Sequence, residues 1–573
     1  MDKQEFEKLQ KLDTTKVAVE MTDALRSYTA GHQLHIVAAA AAYVALVAKE
    51  TSTYGSVDAI LSSKDIDSKI IELVKQYASD CWDKVSAKAV SFTEDQLTAF
   101  ILFDNSLVRI KEACCFSPKG IITLANRILA ITCSDHCLEL CSGEGNYGVD
   151  CLVEFTPDSY TGIELNYAAM DLAILRAYLI EAKADFKLED ALEYQSEQKF
   201  DKVFSNYPLK ILTPSMNECK RRLSKFLKMD ESVLKKASSD WAFNTKILTL
   251  LETSGKAVAI MTNGAAGNIR DKEIRKFFID HGYIEAVISL PEKLFPDTNI
   301  STTMLVLSYD NKCVRMVDAR NIFTEESHRN VLDKESIERI MNLLDHDDSH
   351  AVTVSAETLA ANEYILSAVR YMDSGLEVMN GVPFESITAS IMRGVQIKSQ
   401  ELDSLKSETA TDKQYLALSN IQDGIISLEG QYLSDNTENL EKYCIPNRAI
   451  VFSKIGVPSF KSAVVEIHGE QKIYATGNLY IIEIDETKAN PYYIQAFLAS
   501  EVGTASLKKI HSGSVAPTIS VSELKKMMVP LPSLEEQNRI AEKYLVAMDQ
   551  VILLRRKLEK ALHNMKHIYG EEE

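Results

Sequence analysis

Two stretches hold the residues best suited to chemistry: CLELCSGEGNYG at 137–148 and DKVFSNYPLK at 201–210. The first reads as a short strand running into a glycine-rich turn. Gly143 and Gly145 lack the side chains that would block a ligand lying across a strand end. A lone Gly-x-Gly is equally an ordinary turn. Spacing adds to it, because Glu164 lies 19 residues after Gly145, at the end of the next apolar run, where a carboxylate can grip a ribose diol. Asp190, in KLEDALE, closes the following unit, where an adenine amino group would need an acceptor. Each acid also reads as an ordinary surface side chain. In the second stretch an apolar run ends at Asn206, with Tyr207, Pro208 and Leu209 behind it. The exocyclic amine of a base is a poor nucleophile, since its lone pair is delocalised into the ring. An Asn side-chain oxygen and a neighbouring backbone carbonyl can hold its two hydrogens and steer the lone pair toward an electrophile, by positioning and electrostatics. Proline stiffens a loop that presents such groups.

The elements needed to place these residues are legible around them. Short apolar strands are expected at 137–141, 160–164, 202–204, 256–261, 284–289 and 303–308, with helices at 167–181 and 270–281 between them. Such alternation predicts an open, Rossmann-like α/β sheet with ligands at the carboxyl ends of its strands. Ahead of it, residues 1–112 show helical periodicity without strand alternation, as in DSKIIELVKQYASDCWDKVSAKAV. The expected division is a helical domain at 1–112, the α/β domain at 113–325, a polar, partly helical connector at 326–380, an α+β domain at 381–530 and a long C-terminal helix at 531–573. Apolar Ile540, Leu545, Met548, Val551, Ile552, Leu554, Leu558 and Leu562 give that helix a seam suited to another helix.

Bulk properties narrow the classes. A chain of 573 residues is too long for one core, and its composition is that of a folded protein. Its net charge of −19 argues against nonspecific nucleic-acid binding, which depends on Lys and Arg, but not against basic groups gathered in one cleft. The charged N-terminus reads as no signal peptide. The apolar run at 36–48 is short for a bilayer and reads as a buried helix; no membrane association is expected. Ten cysteines occur without a CxxC pair. Cys133, Cys137 and Cys141 leave a metal reading open, but their run crosses from a helix end into a strand, and no metal is expected. Free thiols in a reducing cytoplasm are the simpler account.

These motifs and their flanks resemble the modification subunit of type I restriction-modification systems, an N6-adenine DNA methyltransferase. FSPKGIITLANRIL (116–129) resembles that family's segment ahead of the cofactor site, and ELCSGEGNY stands where it has Asp-Pro-Ala-Cys-Gly-Ser-Gly-Gly-Phe. GYIEAVISLPEKLFPDTNISTTMLVLS (282–308), RMVDARNIF (315–323) and NEYILSAVRY (362–371) follow its layout. The resemblance implies an S-adenosyl-L-methionine turn from Glu139, Gly143 and Gly145, Phe116 and Pro118 at the methionine end, Glu164 on the ribose and Asp190 on the adenine. It places Asn206 against the target amine, within a tetrapeptide that the family writes Asn-Pro-Pro-Tyr/Phe. Here Tyr207 replaces the first proline and Leu209 the aromatic that stacks on an extruded base. Glu144 adds a carboxylate inside the turn.

The C-terminal third resembles half of a type I specificity subunit, one target-recognition domain followed by one helix. VPFESITASIMRGVQIKS (382–399) and YLALSNIQDGIISLE (415–429) resemble its opening, and residues 513–562 its close. Lys454, Lys461, Lys472, Ser512 and Ser514 are the DNA-facing candidates, each also readable as a solvated surface group. The expected partners are double-stranded DNA, a second copy joined through the C-terminal helix, and a separate restriction, translocase or other defence subunit. A runner-up reading is a DNA-recognition scaffold on a methyltransferase fold, since the departures fall in the catalytic loop. A single-chain enzyme with its own nuclease is disfavoured, because no Pro-Asp…Glu-x-Lys pattern occurs in the helical region.

Overall fold

A computed structural model describes residues 1–25, 34–104, 116–209, 216–295, 301–326, 329–372, 378, 381–396, 399–434, 438–456, 459–511 and 517–567. The chain forms two compact units, Met1–Tyr371 and Met372–Glu573.

The first unit opens with helices α1 (Lys3–Gln10), α2 (Thr15–Leu25), α3 (Leu34–Thr51), α4 (Val57–Leu61), α5 (Ser68–Ala78), α6 (Trp82–Ala89) and α7 (Glu94–Phe103). The alanine-rich α3 is their axle. It has the length and composition of a membrane span, yet every residue from Leu34 to Ala48 is buried inside the protein. Small side chains let α2, α5, α6 and α7 pack close around it. The start of α7 is held by a capping box: Gln96 N donates to Thr93 Oγ1 (3.2 Å), and Thr93 N donates to Gln96 Oε1 (2.9 Å). Such a cap contributes about 1 kcal/mol.

Helices α8 (Lys119–Leu129), α9 (Asn146–Phe155) and α10 (Tyr167–Leu179) belong to the α/β part. Ala168, Leu172 and Leu175 of α10 share one core with the N-terminal helices. The strands are β1 (His136–Leu140), β2 (Ser159–Glu164), β3 (Asp185–Leu188), β4 (Phe200–Ser205), β5 (Leu251–Thr262), β6 (Ile284–Ser289), β7 (Thr302–Leu307) and β8 (Cys313–Asp318). A hairpin, β9 (Thr324–Glu326) and β10 (Arg329–Val331), precedes β11 (Ala351–Ser355). The nine-stranded sheet runs β11-β8-β6-β7-β5-β4-β1-β2-β3. It is parallel except at β7, antiparallel to β5 and β6, and at β11, antiparallel to β8.

Strand order reverses between β1 and β4. The chain leaves β1 toward β2 and β3 on one side and returns as β4 on the other. The carboxyl ends of two such neighbours diverge from their following loops and leave a crevice. Ser205 Oγ donates to the Leu140 carbonyl at 2.8 Å, locking those two ends together.

Residues 326–371 are more than the expected connector. They supply β11 to the sheet edge and helix Lys334–Asp345, which buries Ile337, Ile340 and Leu343 in the same core as α8. The helix is amphipathic, and its polar face dominates a reading by composition.

The second unit is built on an antiparallel sheet ordered Thr388–Arg393, Leu479–Ile484, Ile450–Ser453, Ser462–Val464. Helix Pro491–Ala499 and the helix Leu534–His567 pack on it. The expected seam of the last helix divides in two. Ile540, Leu545 and Met548 pack on the unit's own core, whereas Val551, Leu554, Leu558 and Leu562 are exposed and Ile552 is half-buried; Met565, beyond the seam, is exposed as well.

Candidate functional site

Past β1 the backbone takes left-handed conformations at Cys141 (φ 62°), Gly143 (φ 54°) and Gly145 (φ 79°), folding into a tight turn that delivers the N-terminus of α9. Gly145 is required twice over, by its positive φ and because a Cβ there would lie 2.8 Å from the Cβ of Ala173 on α10. The turn is tied to the next strand. Ser142 N donates to the Ile163 carbonyl at 2.9 Å. Glu164, the last residue of β2, accepts backbone N–H bonds from Gly143 (2.7 Å), Leu165 (2.8 Å) and Asn166 (2.8 Å). Burial raises the Glu164 carboxyl above its ordinary pKa against the pull of those N–H groups. Asp190 stands just beyond β3, half-buried, and accepts from Leu192 N at 2.9 Å.

Glu139 departs from its expected place. Its carboxylate lies beneath the turn, 2% exposed, where it accepts from the Tyr160 hydroxyl and is faced by the backbone N–H of Gly148. Burial pushes its pKa well up. The reason is alternation along β1, which gives Cys137 and Glu139 to the face covered by α9. Glu144, by contrast, is resolved by the N-terminal helices. Its Oε1 is 2.8 Å from Nδ1 of His35 on α3, and its Oε2 is 3.9 Å from the buried guanidinium of Arg176 on α10.

Across the crevice, β4 delivers Asn206. Its amide is nearly buried, and its Nδ2 donates to the Phe116 carbonyl (3.2 Å) and to Ser117 Oγ (3.1 Å). Both amide hydrogens are thereby engaged, and Oδ1 has no partner among the described residues. Tyr207 is not in the crevice. Its ring is fully buried and stacks on Phe243 of the helix Ser239–Leu250, centroids 4.6 Å apart and planes at 10°, and its hydroxyl donates to Asn244 Oδ1 at 3.2 Å. Of the four tetrapeptide residues, Tyr207 therefore offers only its backbone; an apolar ring after a strand finds the core. Pro208 and Leu209 are half-buried.

Phe116 and Ser117 also line a cavity of about 380 Å³ with Asn146, Val149, Lys119 and Asp150. Lys119 and Asp150 form an ion pair there. Pro118 precedes α8 as its N-cap. Among the described residues no group of three His, Cys, Asp or Glu side chains is placed to hold a metal ion.

In the second unit, Lys454 is half-buried, and its ammonium makes no hydrogen bond or ion pair among the described residues. Lys461 donates to the Leu418 carbonyl at 3.3 Å, and Lys472 is ion-paired with Glu441 at 2.9 Å. Ser512 and Ser514 lie outside the described residues. Ser117, His35 and Arg176 were not singled out from the sequence. Only Ser117 carried a signal, through its neighbours Phe116 and Pro118.

Residues 115–377 match the family N-6 DNA Methylase, and residues 395–564 match the Type I restriction modification DNA specificity domain. The MpnII type I restriction enzyme methylase subunit of Mycoplasma pneumoniae is 26% identical over 239 residues, 38% of this chain and 44% of that protein. The MjaIX methylase subunit of Methanocaldococcus jannaschii is 29% identical over 151 residues, 23% of this chain and 27% of that protein. The chain thus spans less than half the length of these relatives. The crystal structure of the type IIG restriction endonuclease BpuSI shares the fold, at 12% identity and a TM-score of 0.52, covering 93% of this chain and 74% of that one. Over residues 115–377 the chain is thus similar to the N-6 DNA methylase family, and over 395–564 to the type I restriction-modification specificity domain.

Proposed function

We propose that the chain is a sequence-specific DNA adenine-N6 methyltransferase that uses S-adenosyl-L-methionine and carries its recognition domain in cis. The observation that carries this reading is the amide of Asn206. Its nitrogen is held by the Phe116 carbonyl and Ser117 Oγ, which fixes the amide with its oxygen, an acceptor, on the opposite side, and a target amine is a donor. Held this way it takes one amine hydrogen, while a backbone carbonyl of the same loop takes the other and the lone pair is turned out of the ring plane. Tyr207 supports the loop from below through its stack on Phe243, in place of the rigidity that a proline would give. Leu209 provides no ring for an extruded base, whose extrusion costs a few kcal/mol, so binding must draw on other contacts.

The residues present fit the cofactor. Ser142 Oγ, inside the turn, is buried with no partner among the described residues, a place for a ligand's polar atom. Glu164 and Asp190 stand at successive strand ends for a ribose and an adenine, and Phe116 and Pro118 stand across from them. The bound cofactor would supply the electrophilic methyl group. Glu139 would not touch the cofactor; it lies below the turn, bonded to Tyr160 and facing the Gly148 N–H.

The wider reading is a cytoplasmic component of a restriction-modification or related phage-defence system that acts on double-stranded DNA, alongside a separate restriction or translocase subunit. The exposed apolar face of the last helix, from Val551 to Met565, supports a homodimer through paired helices. Leu209 alone favours the second reading, a recognition scaffold with weak or no methyl transfer. Labelled S-adenosylmethionine and mixed-sequence DNA decide between them. Wild type should transfer label to adenine and Asn206→Ala should not; equal, background transfer with DNA binding intact removes the enzyme reading.

A further inference from the structure

The cofactor turn contains a carboxylate at the worst place for one. Glu144 precedes Gly145, the N-cap of α9. An unpaired carboxylate there would sit at the positive end of the helix and compete with the anionic end of any ligand for it. The structure removes it by a four-membered buried cluster. His35, at the start of α3, approaches Glu144 through Nδ1 (2.8 Å) and Asp104, the C-cap of α7, through Nε2 (3.7 Å). Arg176, fully buried on α10, donates from Nε to the Ile101 carbonyl (2.7 Å) and from one terminal nitrogen to the Glu144 carbonyl (2.9 Å) and Asn146 Oδ1 (3.0 Å). Its other terminal nitrogen reaches the Asp104 carbonyl at 3.5 Å. Two helices thus hold one turn residue directly, α3 by its side chain and α10 by its backbone and side chain, and the end of α7 backs both.

Charge explains why the cluster is closed. Glu144 and Asp104 are two anions, and Arg176 and an imidazolium at His35 are two cations. Burial alone would favour a neutral imidazole; the charge of Glu144 and the bonds to Asp104 and Glu144 outweigh it, Arg176 opposes them, and the pKa of His35 rises to about 9. Against the upward push of burial, His35 and Arg176 hold the Glu144 carboxyl below its ordinary pKa. Loss of the His35 proton leaves two carboxylates facing one guanidinium in a place that water does not screen.

We propose that His35 is a positioning residue for the cofactor turn: through Glu144 it holds the Gly143–Gly145 backbone in the form that receives the cofactor, which makes the N-terminal helical region a working part of the site. This rests on the reading that the turn holds S-adenosylmethionine. Neither helical periodicity nor the glycine motif contains this link, because His35 and Glu144 are 109 residues apart.

The test uses the full chain, with S-adenosylhomocysteine titrated calorimetrically between pH 7 and 10, and amide hydrogen exchange of residues 142–147 without ligand. The variants are His35→Gln, which keeps a hydrogen-bonding side chain without the charge, and the milder Glu144→Gln. Wild-type affinity should fall as pH rises through about 9, the value at which His35 loses its proton. His35→Gln should weaken binding about tenfold at pH 7, flatten that pH profile and speed exchange at the turn, with its thermal transition retained. Glu144→Gln should flatten the profile as well. An unchanged affinity and an unchanged pH profile in both variants overturn the proposal. Should wild type bind no ligand at any pH, the cofactor reading fails instead, and exchange at the turn then decides: faster exchange in His35→Gln upholds the positioning role, and equal exchange overturns it.

Discussion

Replacing Tyr207 by proline moves the tetrapeptide toward the arrangement of the related enzymes, and the structure says that it should harm this protein. The Tyr207 ring is fully buried, stacked on Phe243 at 4.6 Å, and satisfies Asn244 Oδ1. Truncating a buried aromatic side chain costs about 3–5 kcal/mol. The unfolding entropy of the 371 residues of the first unit, at about 2.1 cal/mol/K per residue, is near 0.8 kcal/mol/K. A loss of that size therefore lowers Tm by about 4–6 °C if the unit melts cooperatively. Tyr207→Phe keeps the stack and strands only the Asn244 acceptor, about 1–3 kcal/mol, or about 1–4 °C by the same conversion. Calorimetric scans of wild type, Tyr207→Phe and Tyr207→Pro should fall in that order, and methyl transfer should fall with them as the loop loses support. A Tyr207→Pro protein that melts with wild type and methylates as well or better refutes the claim that this ring is the loop's foundation.

Glu164→Gln places an amide opposite three N–H donors with one acceptor oxygen in place of two, and cofactor affinity measured by calorimetry should drop at least tenfold; unchanged affinity would remove Glu164 from the site. Lys454→Ala should weaken DNA binding and lower the salt slope by about one, whereas Lys472→Ala, already paired with Glu441, should change both less; the reverse order in fluorescence anisotropy counts against this assignment. Leu554→Glu with Leu558→Glu should convert a dimer to a monomer in sedimentation, and a wild type that sediments as a monomer ends the helix-pairing proposal.

Much of the sheet was legible because its strands are short apolar runs bounded by turns: β1, β2, β6 and β7 fall within a residue of expectation. β3 was missed as four residues at an edge, half-exposed and without alternation. β11 was missed because the helix before it reads as polar. That β7 inserts antiparallel between β5 and β6 is a property of register and leaves no local pattern. In the site, Gly143, Gly145, Glu164, Asp190 and Asn206 were legible as positions because each sits at or just past a strand end, where spacing along the chain reports spacing in the fold. Glu139 misled because its neighbours suggest the crevice while alternation turns it under α9. Ser117 on Asn206 and His35 on Glu144 were illegible for one reason: they are contacts between residues 89 and 109 positions apart.

The pairing of β1 with β4 bears on how the protein is made. β1 leaves the ribosome with β2 and β3 to follow, but its other edge stays open until residues 200–205 emerge. At about 5–20 residues per second, those 65 residues take roughly 3–13 s. During that interval an apolar strand edge, buried in the folded protein, is open to any other nascent chain. The edge strand on the far side of the same sheet, β11, comes later still. Slow synthesis or crowding at this stage therefore threatens yield through misassembly at one identifiable edge, and charges introduced beside β1 on the growing chain should protect against it.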